Sequence, residues 1–161
     1  MRKLLVLALG AAASLLLVPA GALAATPDMG TFDDGYHTFV DTEVCAAAPF
    51  EFDVDATDHE YGQYQVFFDG NGNVIRVLVH LNYDAWISAN GKTIVEHDTW
   101  TFIATPDSSR SVGLTVHIKG VDGMVQLDAG QIVFDANGDI DYVRGPHPQA
   151  LGENFCPALV P

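Results

Sequence analysis

The amino-acid sequence predicts an all-β protein built as an antiparallel meander of seven or eight strands. Apolar and polar residues alternate with a period of two through most of the chain after Pro49, as in half-buried strands. Asn-Gly and Asp-Gly dipeptides, which tolerate the backbone of tight hairpin turns, separate the alternating segments. No helical stripe competes with this pattern after the N-terminal 24 residues.

The strands and their connections follow from these signals. The first strand is expected where Phe50, Phe52 and Val54 alternate with acidic residues. Six more are expected at about 60–69, 73–88, 92–105, 110–120, 123–134 and 139–144. The turns between them are placed at Asn71-Gly72, Asn90-Gly91, Asp122-Gly123 and Asn137-Gly138, with a longer loop at 106–109. Residues 25–44 have no sustained period and several turn formers, which predicts a loosely ordered lead-in.

Long strands in a meander tend to close into a barrel, because closure removes the exposed edges. We therefore expect residues 45–161 to form a single closed barrel, lipocalin-like or similar. A two-sheet sandwich is the alternative.

The first 24 residues have the pattern of a cleavable secretory signal. Arg2 and Lys3 precede an apolar run from Leu4 to Val18, and Ala22-Leu23-Ala24 forms a small-residue cleavage site. The pattern predicts a secreted, extracellular protein. In an oxidising compartment the only two cysteines, Cys45 and Cys156, are expected to form a structural disulfide at the place where the barrel closes.

The chain is strongly acidic, with a formal net charge of −14. Without Arg2 and Lys3, five basic residues face 21 acidic ones, which gives a formal charge of −16. Such a surface repels phosphate backbones and anionic lipid, so nucleic acid is not an expected partner. Membrane insertion is not expected either, because no second apolar run of membrane-spanning length follows the signal.

Strand register predicts a polar row on one face of the sheet. The two-residue turns place Asp84 opposite His97, and His117 opposite Asp128. Pairing Ala104 with Arg110 would also bring the two histidines together, so that the row spans four strands. Imidazole and carboxylate groups at that spacing could hold zinc or another divalent ion, or could transfer protons. An ordinary solvated sheet surface is the alternative, and no other cofactor is expected.

The opposite face carries the predicted core, and two carboxyl groups interrupt it. The same register places Leu81 opposite Trp100 and Tyr83 opposite Asp98, with Glu96 next to them on that face. Tyr83, Asp98 and Trp100 are therefore expected to line a pocket for an apolar molecule with one polar group, where a raised pKa would let Asp98 act as an acid. A bulge that turns the carboxyl groups outward, or a solvated rim, is the alternative.

Several short motifs occur along the chain: Cys45 with Phe52-Asp53-Val54, Asp69-Gly-Asn-Gly-Asn-Val-Ile-Arg76, Asn90-Gly-Lys-Thr93, Asp128-Ala-Gly130 with Phe134-Asp135, and Phe155-Cys156-Pro-Ala-Leu159. Together they resemble small secreted β-rich proteins of unknown function that are common in actinobacteria. The resemblance spans nearly the whole chain after the signal. It implies a fold and a location and carries over no activity and no catalytic residue.

These observations favour a secreted, non-enzymatic barrel that binds a small apolar or amphipathic molecule. An extracellular enzyme of the cyclase, isomerase or hydrolase type is one alternative. A cell-surface interaction module is the other, since fold class does not decide function.

Overall fold

The computed structural model describes residues 26–161, which form one seven-stranded antiparallel sheet. The strands are β1 (Asp28–Asp41), β2 (Val54–Phe68), β3 (Val74–Ala89), β4 (Lys92–Ala104), β5 (Ser109–Gly120), β6 (Gly123–Phe134) and β7 (Ile140–Arg144). They lie in the sheet in chain order, so the predicted all-β meander of seven strands is confirmed. Two short 3-10 helices follow, Gln149–Leu151 and Cys156–Leu159.

The predicted signal at 1–24 lies outside the described residues. Within 26–161, no helix is long and apolar enough to cross a membrane.

The sheet is open, so the prediction of a closed barrel is wrong. Among the described strands β1 pairs only with β2, and β7 only with β6. The sandwich alternative is wrong too, because all seven strands belong to one sheet. β7 has only five residues and ends before Gly145-Pro146, where proline has no N–H for a strand ladder. The chain then leaves the sheet instead of continuing to β1.

Residues 28–41 form β1, although the sequence predicts a loosely ordered lead-in there. β1 is an edge strand exposed along most of its length, with Met29 63% and Val40 56% exposed, so it lacks the alternation that marks a half-buried strand. The turn formers in it produce a bulge between Asp33 and Tyr36, where Gly35 has a φ of 73°.

The predicted first and second strands are one strand, β2, which begins at Val54. Phe50 and Phe52 precede it and pack against the core from the connecting loop. The seven strands therefore include β1 in place of a separate strand at residue 50.

Register is predicted correctly where two-residue turns connect unbroken strands. Val79 pairs with Phe102 and Leu81 with Trp100, as the Asn90-Gly91 turn implies. The β5–β6 prediction is wrong. The turn is Val121-Asp122, and an additional residue in β6, between Met124 and Gln126, shifts the register so that Val116 pairs with Asp128. The extra residue in the ladder moves each partner by one position and so to the other face of the sheet.

One half of one sheet face carries the core, and we call this the covered face. Its buried residues include Val54, Ala85, Ile87, Ile94, Val116, Ile118 and Leu159. The β1–β2 loop and the C-terminal segment lie over them, and the disulfide between Cys45 and Cys156 joins these two segments. The predicted disulfide is confirmed, but it does not join the sheet edges. It fastens two covering segments to each other over the sheet.

Candidate functional site

The three residues predicted to line a ligand pocket lie together on the covered face. Tyr83 pairs with Asp98, and Leu81 in the adjacent row pairs with Trp100. Asp98 is 5% exposed, whereas Tyr83 and Trp100 are half-buried. These two rows lie at the border of the core cluster: Tyr83 packs against that cluster and Trp100 does not.

The carboxyl group of Asp98 is not turned outward. A bulge does lie beside it, but the additional residue is in β5, between the pairs Glu96–Ile118 and Thr99–Leu114. The bulge directs the backbone N–H of His117 to Asp98 Oδ1, at 2.6 Å. Asp98 therefore replaces the ladder acceptor that the bulge removes.

Glu96 and Asp98 form a coupled carboxyl pair. Burial, together with the charge of Asp98, raises the pKa of Glu96 to about 9. Burial also raises the pKa of Asp98, to about 6, although hydrogen bonds from Glu96 and the His117 N–H oppose that rise. At neutral pH the two groups therefore hold one proton between them, with Glu96 as the donor and Asp98 as the acceptor.

Tyr83 extends this polar group toward β2. Its hydroxyl donates to Asp58 Oδ2 at 3.1 Å, and burial beside these carboxylates raises the pKa of Tyr83. Burial likewise raises the pKa of Glu60, which lies opposite Tyr83. In the described chain no lysine or arginine forms an ion pair with Glu96 or Asp98. The group is thus an acidic, partly protonated cluster without a lysine or arginine partner among the described residues, although the His97 ring acts to lower the pKa of Asp98.

An apolar strip borders this cluster on the same face. It consists of Tyr64, Val77, Val79, Trp100 and Phe102, which are all half-buried. None of them belongs to the core cluster under the disulfide. The arrangement can hold an apolar body on the strip and one polar end at Asp98.

Two surface cavities lie elsewhere, at the ends of the sheet. One of about 490 Å³ is lined by residues that include Lys92, Thr93, Val125 and Ala158. The other, of about 300 Å³, is lined by residues of the 74–77 and 104–106 segments. Tyr83, Asp98 and Trp100 line neither, so the candidate site lies on the sheet face outside both cavities.

The predicted four-residue row of Asp84, His97, His117 and Asp128 is not assembled. His97 Nδ1 and Asp84 Oδ1 lie 2.6 Å apart on the face opposite the core, which we call the open face. Asp128 is 1% exposed on the covered face, and His117 pairs with Leu127. The additional residue in β6 turns Asp128 to the covered face and so separates the halves of the row. Within residues 26–161 no three His, Cys, Asp or Glu side chains are grouped as a metal site requires.

Asp128 instead holds the segment that follows β7. Its Oδ2 accepts the Gln149 N–H at 3.1 Å and lies 3.9 Å from His147 Nδ1. Burial raises the pKa of Asp128, while the Gln149 N–H and the His147 ring oppose that rise. The His147 side chain is fully buried, and neither of its ring nitrogens has a hydrogen-bond partner among the described residues. The sequence predicts no role for His147.

A cluster of rings on the open face is also absent from the sequence-based prediction. Tyr36 lies 4.5 Å from His59 and 6.1 Å from Trp86, between ring centroids, and His59 stacks on Tyr61 at 4.8 Å. We call these four residues the ring cluster. Tyr36 belongs to the segment predicted to be a lead-in, so no register could place it beside the others.

Comparison with protein-family models, with curated proteins and with solved structures gave no match. The resemblance to small secreted actinobacterial proteins stays a prediction, and the functional argument rests on the geometry described above.

Proposed function

We propose that the protein is a secreted binding protein for a small amphipathic molecule, held on the covered face by the carboxyl pair and the apolar strip. The observation that carries the proposal is that a polar cluster and an apolar strip lie side by side on the covered face. The coupled carboxyl pair Glu96–Asp98 lies one row from Trp100 and the rest of the apolar strip. The disulfide supports an oxidising, extracellular location, where such bonds persist.

The apolar strip favours an aliphatic or aromatic body for the ligand. Trp100 and Phe102 are half-buried, and neither belongs to the core cluster or to the residues packed against it in the described part of the chain. Each methylene group that a ligand buries there contributes about 0.8 kcal/mol. A chain of moderate length therefore gains most of its affinity from the strip.

The carboxyl cluster favours a polar end that donates protons, such as an amine or a hydroxyl. Asp98 accepts hydrogen bonds, and it has no cationic side chain as an ion-pair partner in the described chain. An ammonium group would supply the missing opposite charge at a half-buried site, where it is screened little by water. A carboxylate end would be repelled.

Isothermal titration with decylamine and with decanoate, both below their micellar concentrations, tests this proposal. The two probes share an apolar chain and differ in the polar end. We expect saturable binding of decylamine and at least tenfold weaker binding of decanoate. Asp98→Asn should weaken decylamine binding about 10- to 100-fold, since hydrogen bonds to charged groups contribute about 1.5–3 kcal/mol.

Matched variants separate the site from the general acidity of the chain. Trp100→Leu should weaken both probes, whereas Asp107→Asn, in the exposed β4–β5 loop, should change neither. Circular dichroism confirms that each variant is folded. Equal binding of the two probes, or an equal effect of Asp107→Asn and Asp98→Asn, would contradict the proposal.

The proton shared by Glu96 and Asp98 favours an enzyme of the hydrolase, isomerase or cyclase type as the second candidate. Two carboxyl groups with separated pKa values can act as acid and base in turn. Hydrolysis of p-nitrophenyl decanoate tests the hydrolase form. The rate should be highest between about pH 6 and pH 9, the two apparent pKa values, and Glu96→Gln and Asp98→Asn should both abolish it. An unchanged rate in either variant excludes the pair from the chemistry.

A further inference from the structure

The ring cluster on the open face places two large exposed aromatic side chains side by side. Tyr36 is 67% exposed and Trp86 is 40% exposed, and their ring centroids are 6.1 Å apart with a 42° tilt. Single exposed aromatic residues are common, but adjoining ones form an apolar patch that is exposed at a cost.

The cluster is held in place by its neighbours. The His59 ring lies between the rings of Tyr36 and Tyr61, tilted by 31° and 25° from them, and its Nε2 lies 2.7 Å from Asp33 Oδ1. Only 14% of the His59 side chain is exposed. A fixed arrangement loses little conformational entropy when a partner binds.

Carboxylates surround the rings. Asp33 contacts His59 through Oδ1, and Asp84, the ladder neighbour of His59 on β3, contacts His97 through Oδ1, so each carboxylate keeps its Oδ2 for a partner. The exposed Asp55 lies diagonally across the same ladder from Trp86. The nearest lysine in the Trp86 row is Lys119, two strands away beyond Val95. Residues 26–161 hold five basic and 21 acidic side chains, so the field at this surface attracts cations.

We propose that the ring cluster is a docking surface for a protein partner with an arginine-containing segment, whose guanidinium groups stack on Tyr36 and Trp86 and pair with Asp33 and Asp84. A guanidinium group is planar, stacks on aromatic faces and forms two parallel hydrogen bonds with a carboxylate. The chain uses the same contact internally, where Arg76 lies 4.1 Å above the Phe67 ring. This surface is on the opposite face from the proposed ligand site of the covered face, and the proposal does not depend on that site.

The test uses two synthetic peptides, acetyl-Gly-Arg-Gly-Arg-Gly-amide and the same peptide with citrulline in place of arginine. Citrulline keeps the shape and removes the charge. Binding to the oxidised protein is followed by amide chemical shifts at 50 mM and 500 mM salt. We expect saturable shifts at residues 33–37, 59–61 and 84–86 for the arginine peptide, weaker affinity at the higher salt, and at least tenfold weaker binding of the citrulline peptide.

Matched variants keep the experiment interpretable. Tyr36→Leu and Trp86→Leu retain apolar bulk and should each weaken binding about 2- to 5-fold, the range of exposed cation–π contacts. Asp84→Asn should weaken it as well, whereas Asp122→Asn, at the exposed β5–β6 turn, should not.

Three results would overturn the proposal. The first is equal binding of both peptides. The second is an equal loss in Asp84→Asn and Asp122→Asn, which would mean attraction by overall charge. The third is tighter binding of a neutral oligosaccharide, cellohexaose, at the same amides, which would make the surface a glycan site.

Discussion

Asp98 Oδ1, on β4, accepts a hydrogen bond from the backbone N–H of His117, in the bulge of β5, at 2.6 Å. The same carboxyl group shares a proton with Glu96. A single side chain thus completes the strand ladder and forms the polar end of the proposed ligand site. The bulge and the site are consequently one feature of the sheet.

Glu96→Gln should change how stability depends on pH. In the folded protein the pKa of Glu96 is raised from 4.5 to about 9, so its bound proton stabilises the folded state at low pH. Wild-type stability should fall as pH rises from about 4.5 to about 9, and the variant, which has no such proton, should lose less. Urea unfolding at pH 5, 7 and 9 measures this, with the exposed Glu153→Gln as the control. Parallel curves for wild type and Glu96→Gln would show that this carboxyl group is ionised normally.

Replacement of both Cys45 and Cys156 by alanine should lower the free energy of unfolding. The two residues are 111 positions apart, and a closed loop of that length is worth about 4 to 5 kcal/mol in the chain-entropy model. Urea unfolding of the variant and of the reduced wild type should give similar shifts. An unchanged unfolding midpoint would mean that the covering segments stay in place without the bond.

Gly62→Ala should destabilise the sheet, and Gly70→Ala should not. A Cβ at Gly62 would lie 2.2 Å from the backbone oxygen of His80, whereas a Cβ at Gly70 meets nothing within 4 Å. We expect a loss of about 1 to 3 kcal/mol for the first variant and a change within about 0.5 kcal/mol for the second. Thermal unfolding compares them. Equal melting temperatures would show that β2 and β3 can separate locally at no cost.

Asp128→Ala should release the segment after β7. It removes the acceptor of the Gln149 N–H and should cost about 1 to 3 kcal/mol. Asp128→Asn retains one carbonyl oxygen, so its free energy of unfolding should lie between those of Asp128→Ala and the wild type. Hydrogen exchange at the Gln149 amide measures the release directly, and unchanged exchange in Asp128→Ala would assign the anchoring to other contacts.

The β3–β4 hairpin shows what local sequence could predict. Alternation in both strands and the Asn90-Gly91 turn defined a register that placed Tyr83 opposite Asp98 and Asp84 opposite His97. The site residues of the covered face follow from that register alone.

Bulges and edges account for what could not be predicted. A bulge adds a residue without a distinct local signal, so Asp128 was placed on the wrong face. β1 has no alternation because it is an edge strand, so neither the strand nor the position of Tyr36 within it could be predicted. Whether the sheet closes into a barrel depends on the path of the chain after the five-residue β7. The C-terminal segment packs over the covered face and is joined there to the β1–β2 loop by the disulfide, which local sequence does not predict.

An amide chemical-shift titration of the oxidised protein with decylamine tests the central proposal most directly. The account predicts saturable shifts confined to the covered face, centred on Leu81, Tyr83, Asp98 and Trp100, and absent from the ring cluster. Shifts that do not saturate, or that map to the open face or to the cavities at the sheet ends, would contradict it.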